Sequence, residues 1–98
     1  MYDLELKTFI QAILKDTISP SQLLERLIHT IDWIKIYESE DQLTTDAFFA
    51  LKHYATGEED ISDIEWTYFI NCFDGKCQYN MDQKMKIIMD SADACILR

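Results

Sequence analysis

Leu4, Leu6, Phe9, Ile10, Ile13 and Leu14 recur at three- and four-residue spacing, with Lys7, Gln11 and Lys15 on the remaining faces. That period lays one apolar stripe along a helix over about residues 2–15. Ser19, Pro20 and Gln22 then form a start signal. Ser19 can cap, proline is pre-set for the first helical position, and Gln22 completes a capping-box spacing. The helix so begun is predicted to run from Pro20 to about Tyr37. Its apolar positions Leu23, Leu24, Leu27, Ile28, Ile31, Ile34 and Ile36 wrap most of the way round, which marks a central element buried on more than one side.

The polar run from Glu38 to Thr44 reads as a loop leading to a third helix, capped by Thr44 or Thr45, led by Asp46 and closed by Gly57. A second acidic turn, Glu58 to Asp60, precedes Ser62 and Glu65, another capping-box spacing, and a fourth helix over about residues 63–73 that Asp74 and Gly75 stop. Asn80 and Gln83 open a terminal helix whose stripe is Met81, Met85, Ile88, Met89, Ala92 and Cys95 or Ile96. Between the last two, Cys77–Tyr79 fits either a loop or a short extended stretch. With only two glycines and one proline, little remains for the turns of a many-stranded β fold. The expectation is an all-α, compact bundle of four to five helices forming a single helical domain over residues 1–98. No internal repeat or linker-like segment divides it.

Charge changes the picture from architecture to partners. Eighteen acids face nine bases, a formal net charge of −9. Such a chain is a poor non-specific ligand for nucleic acid or an anionic membrane, because both need Lys and Arg. Its natural partner is basic, although acidity also serves solubility alone. Distribution is more informative. Glu38, Glu40, Asp41, Asp46, Glu58, Glu59, Asp60, Asp63 and Glu65 stand against the single Lys52, a local charge of −8. The helix dipole accounts for Asp46, Asp63 and Glu65 at helix starts. It accounts less well for the runs in the two links, whose acids are expected to be exposed and to share one surface with Asp63 and Glu65.

Aromatic residues lie close to the same stretch: Phe48, Phe49 and Tyr54, then Trp66, Tyr68 and Phe69. Adjacent phenylalanines cannot both face one core. An aromatic anchor ringed by acids is the make-up of an interface hot spot, and Trp66 joins the nine acids as the candidate partner-binding set. The alternative is that these aromatics are core.

Signs of catalysis are absent from the pattern. His29 and His53 each sit inside a predicted helix without a local motif, no serine lies in a Gly-x-Ser-x-Gly elbow, and no glycine-rich loop cradles phosphate. Cys72, Cys77 and Cys95 lack paired Cys-x-x-Cys spacing and a nearby histidine, so no zinc site is expected, and a reducing compartment implies no disulfide between Cys72 and Cys77. The run Glu58–Glu65 lacks the sixth-position glycine of a calcium loop. No cofactor is implied. Asp3, Glu5 and Lys7 interrupt what would be the apolar part of a secretory signal, and no run approaches the ~20 apolar residues of a membrane span. A cytoplasmic protein with reduced thiols is expected.

The segment Phe9 to Leu27, with Ile18-Ser19-Pro20 joining two helical patterns, resembles the N-terminal half of small bacterial immunity proteins of the colicin D immunity type. Immunity proteins of contact-dependent growth inhibition systems are similar in size and charge. The resemblance implies an inhibitor that blocks the cleft of a cognate, basic nuclease toxin, its carboxylates standing in for RNA phosphates. The leading expectation is therefore an immunity protein or antitoxin that binds a toxin domain through its acidic surface and is not an enzyme. The rival is a cytoplasmic helical adaptor or regulator whose apolar groove holds a partner helix.

Overall fold

In the computed structural model, which describes residues 2–96 with side chains to residue 89, the chain forms six helices. They are α1 (Asp3–Leu14), α2 (Pro20–Thr30), α3 (Trp33–Glu38), α4 (Gln42–Thr56), α5 (Asp63–Phe73) and α6 (Met81–Ile96). The fold is all-α, with no strand among the described residues. Cys77–Tyr79 is irregular loop.

The extra helix comes from a break in the element expected to run from Pro20 to Tyr37. Its start forms as read: Ser19 Oγ accepts from the Gln22 N–H at 3.3 Å, and Gln22 Oε1 accepts from the Ser19 N–H at 3.1 Å. Ile31 and Asp32 are then extended, at φ −109°, ψ 125° and φ −87°, ψ 105°. Asp32 restarts the chain by accepting from the Ile34 N–H at 3.0 Å. The reason is geometric. On one straight helix Ile31 and Ile36 would point about 140° apart, so they could not share a core face. The break lets both be buried. It also leaves Ile28 and Ile34 at the surface, so this element is not the central one.

The centre is α4, which buries Thr44, Ala47, Phe48, Ala50, Leu51 and Ala55 and packs against α1, α2, α3 and α5. Its alanines let neighbouring backbones approach closely. Leu6 and Ile10 from α1, Leu23 and Leu27 from α2, Ile36 from α3, and Trp66 and Phe69 from α5 close around it. Each wholly buried leucine or isoleucine contributes about 1.5–3 kcal/mol relative to exposure.

The cap of α4 is Asp41, one turn earlier than expected. Its carboxylate accepts from the Leu43 N–H at 3.2 Å and from the Thr44 hydroxyl at 2.7 Å. Thr44 is buried inside the first turn and cannot cap. Gly57 ends α4 in the left-handed region, φ 79°, where a Cβ would be strained. Ser62 caps α5 by accepting from the Glu65 N–H at 3.2 Å, and Asn80 accepts from the Gln83 N–H at 3.0 Å at the start of α6.

Among the described side chains of α6 the expected apolar stripe faces the core only in part: Met81, Met85 and Met89 are exposed, Ile88 is half-buried, and Lys84 is the buried residue. Lys84 lies 5.1 Å over the Phe69 ring and pairs with Glu65 at 3.2 Å, so a snorkelled cation, not a methionine, docks α6 on α5. Ala92, Cys95 and Ile96 lie beyond the described side chains. Among the described residues, no helix is long and apolar enough to cross a membrane.

Candidate functional site

Fifteen residues of helix separate the two acidic links, so they lie about 22 Å apart at opposite ends of α4. The single acidic surface expected from the sequence is therefore divided. Glu38, Glu40 and Asp41 occupy the N-terminal end; Glu58, Glu59, Asp60 and Asp63 occupy the other.

At the N-terminal end one acid, Asp41, has structural work. Asp41 caps the helix and satisfies the buried Thr44 hydroxyl. Glu38 is the last residue of α3, and Glu40 makes the tight turn between helices in a left-handed conformation, φ 55°.

The C-terminal end is built differently. The N–H groups of Glu58 and Glu59 both donate to the His53 carbonyl, at 2.9 and 3.3 Å, which wraps the chain over the end of α4. Their carboxylates reach back to the His53 ring, Glu59 to Nδ1 at 3.4 Å and Glu58 to Nε2 at 3.7 Å. Half-buried Ile61 packs against the core and fixes the turn before Ser62 starts α5. Asp60 and Asp63 are exposed, with no cation at ion-pair distance among the described residues.

Asp46 and Glu65 are less available. Asp46 accepts a short hydrogen bond from the Tyr79 hydroxyl, and Glu65 is held by Lys84. Together with His53, Glu59 and Lys84 they line a shallow cleft of about 160 Å³ along α4. His53 thus meets carboxylates on an open surface, not in a deep pocket. No Ser, Thr or Cys side chain bonds to its ring among the described residues.

Trp66 leaves the candidate set. It is 1% exposed, edge-to-face with Tyr54 at 5.8 Å between ring centres, and part of the core. Of the six aromatics near the acidic stretch, Phe49 is the exposed one, at 38%, with its neighbour Phe48 turned inward. Phe49 stands at a junction. On one side its ring lies 6.2 Å from that of His53. On the other it lines a groove of about 440 Å³ with Leu24, Ile28, Ile31, Trp33 and Lys52. Trp33 and Ile28 on this groove are 62% and 67% exposed. The periodicity of Pro20–Tyr37 hid the groove, because it assigned Leu24 and Ile28 to a buried spine.

Cys72 and Cys77 are free thiols with sulfurs 3.4 Å apart, beside Asp41, Gln42 and Leu43. Burial pushes the Cys72 thiol up to about 11, helped by its hydrogen bond to Cys77, so it is a weak nucleophile at neutral pH. Tyr79 is raised as well, first by burial and then by Asp46. Tyr68 is raised chiefly by burial; its hydroxyl accepts from the Asn80 N–H at 3.0 Å and pins the Gln78–Asn80 loop. No cluster of side chains suited to a metal ion occurs among the described residues.

No protein-family model, curated protein or solved structure matches the chain.

Proposed function

We propose that the chain is an immunity protein or antitoxin that acts in the bacterial cytoplasm, binding a cognate basic toxin domain, a nuclease in class, and neutralising it without catalysis. The observation that carries the reading is the turn after α4. Glu58, Glu59, Asp60 and Asp63 are all exposed there, and His53 is the one basic side chain that meets them among the described residues. Glu58 and Glu59 sit at the carbonyl end of α4, where the helix dipole disfavours negative charge. Acids placed against the dipole weaken the fold slightly, and a basic partner supplies the compensation. The resemblance of Phe9–Leu27 to colicin D immunity-type proteins supports the same reading. On this reading the contact set is Glu58, Glu59, Asp60 and Asp63, because Asp46 and Glu65 are tied into the fold behind them.

Co-expression with the product of the adjacent upstream gene tests it. Protection of cells, with one-to-one binding in vitro, is the expected result. Failure to protect together with no binding removes the reading.

The groove beside Phe49 favours a second reading, the adaptor whose apolar groove holds a partner helix. It predicts binding that depends on Ile28 and Trp33 and is indifferent to Glu58 and Glu59.

A further inference from the structure

We infer that the groove between α2, α3 and α4 receives a bulky apolar side chain of the same basic partner, seated beside the carboxylates that attract it. This rests on the immunity reading and adds the anchor that reading lacked once Trp66 proved to be core. An apolar surface of this kind is costly to leave wet: uncovering a side chain of this size forgoes burial that cores and interfaces otherwise gain. Trp33 and Ile28 are both more than half exposed in a chain whose other tryptophan is wholly buried.

The dimensions select the occupant's shape. One wall is the single turn of α4 from Phe48 to Lys52, about 6 Å long, and the other runs from Leu24 to Ile31, about 10 Å. A volume of about 440 Å³ between walls of that length holds one or two bulky side chains from a segment of no more than about two turns. Charge selects its surroundings. From the groove the surface runs through Phe49 to the His53 ring and on to Glu59 and Glu58. A side chain seated in the groove therefore brings its flanking residues over these carboxylates, and Lys or Arg there are matched. Lys52 fixes the direction. Its ammonium makes no ion pair among the described residues and repels a base placed on its own rim, so the partner's cations must lie on the His53 side. A second copy of this chain is disfavoured as occupant, since it would bring a like charge of −9.

The test measures association and dissociation of the full chain with the toxin domain encoded upstream, for three variants whose melting is checked first. Ile28→Ser and Trp33→Ser change exposed side chains and should leave the fold intact. Each is expected to raise the dissociation rate by about tenfold or more, with the association rate within about twofold. The double variant Glu58→Gln, Glu59→Gln should do the reverse, slowing association and flattening its salt dependence. If the groove variants dissociate like the parent while the acid variant associates slowly, the anchor inference is overturned and the immunity reading stands. If the groove variants abolish binding and the acid variant has no effect, the occupant is not a basic segment and the anchor inference is overturned. No binding by the parent chain overturns both at once. Sedimentation that shows a dimer dissociated by Trp33→Ser would assign the groove to a second copy and overturn the inference as well.

Discussion

The two ends of α4 carry similar acidic sequences and use them in opposite ways. At the N-terminal end Asp41 meets the positive end of the helix dipole, accepts a backbone N–H and serves the buried Thr44 hydroxyl. At the C-terminal end Glu58 and Glu59 face the helix carbonyls with His53 between them. Asp60 and Asp63 gain something from the start of α5; Glu58 and Glu59 gain nothing from either helix start. At the first end Asp41 is explained by folding. At the second end Glu58 and Glu59 are placed against the dipole of α4, with only His53 beside them among the described residues. Counting acids along the chain treats the two runs as one feature; placing them on the helix separates them.

Both ends rest on one core, and the largest effect should come from breaking it. Trp66→Ala is expected to destabilise by about 3–5 kcal/mol in chemical denaturation, because it empties a wholly buried site between Tyr54 and Phe69. A folded, fast-dissociating Trp66→Ala protein would restore Trp66 to the surface and upset the comparison.

Next is Asp41→Ala, with an expected loss of about 1–2 kcal/mol from the cap and from the unpaired Thr44 hydroxyl. Asp41→Asn should recover most of it, since the amide oxygen can still cap. Thermal or urea melts of the pair distinguish a structural acid from one that acts by charge.

Raising the pH should then separate the two ends. Cys72, beside the N-terminal end of α4, has its thiol raised to about 11. The unfolded thiol titrates near ~8.5, so its stabilising contribution is complete below that value and is lost as the pH climbs through about 11. Melting temperatures measured from pH 8 to 11 should fall, and Cys72→Ala should flatten that fall.

The smallest effect has the most informative sign. Glu58→Gln with Glu59→Gln is expected to stabilise the free protein by a few tenths of a kcal/mol at low salt, less at high salt, opposite to Asp41→Ala. Destabilisation by the double change, read in the same melts, would mean that the C-terminal acids are structural after all.

Much of the architecture was legible because it is set locally. The Ser19–Gln22 box, the Gly57 stop, the Ser62 cap and the apolar spacing of α1 and α5 depend only on near neighbours. What escaped depends on the whole fold. Asp41 and Thr44 both suit a cap, and only the burial of Thr44 decides between them. The break at Ile31–Asp32 arises because two isoleucines compete for one core, and the periodic pattern of Pro20–Tyr37 absorbs them into a continuous helix. The groove is a gap between helices, so no linear spacing reveals it. The separation of the acidic links was within reach, since the length of the intervening helix already sets it.

The packing of α1 bears on how the molecule is made. Leu6 and Ile10 find their cover on α4 and α5, and Lys7 pairs with Asp74 just past the end of α5. A helix of twelve residues is marginal in water by itself. As the chain leaves the ribosome, α1 therefore keeps part of its apolar stripe uncovered until α4 and α5 have both followed it out. Full protection of α1 waits on a helix made well after it, and nascent-chain proteolysis should fade there only once Asp74 has emerged.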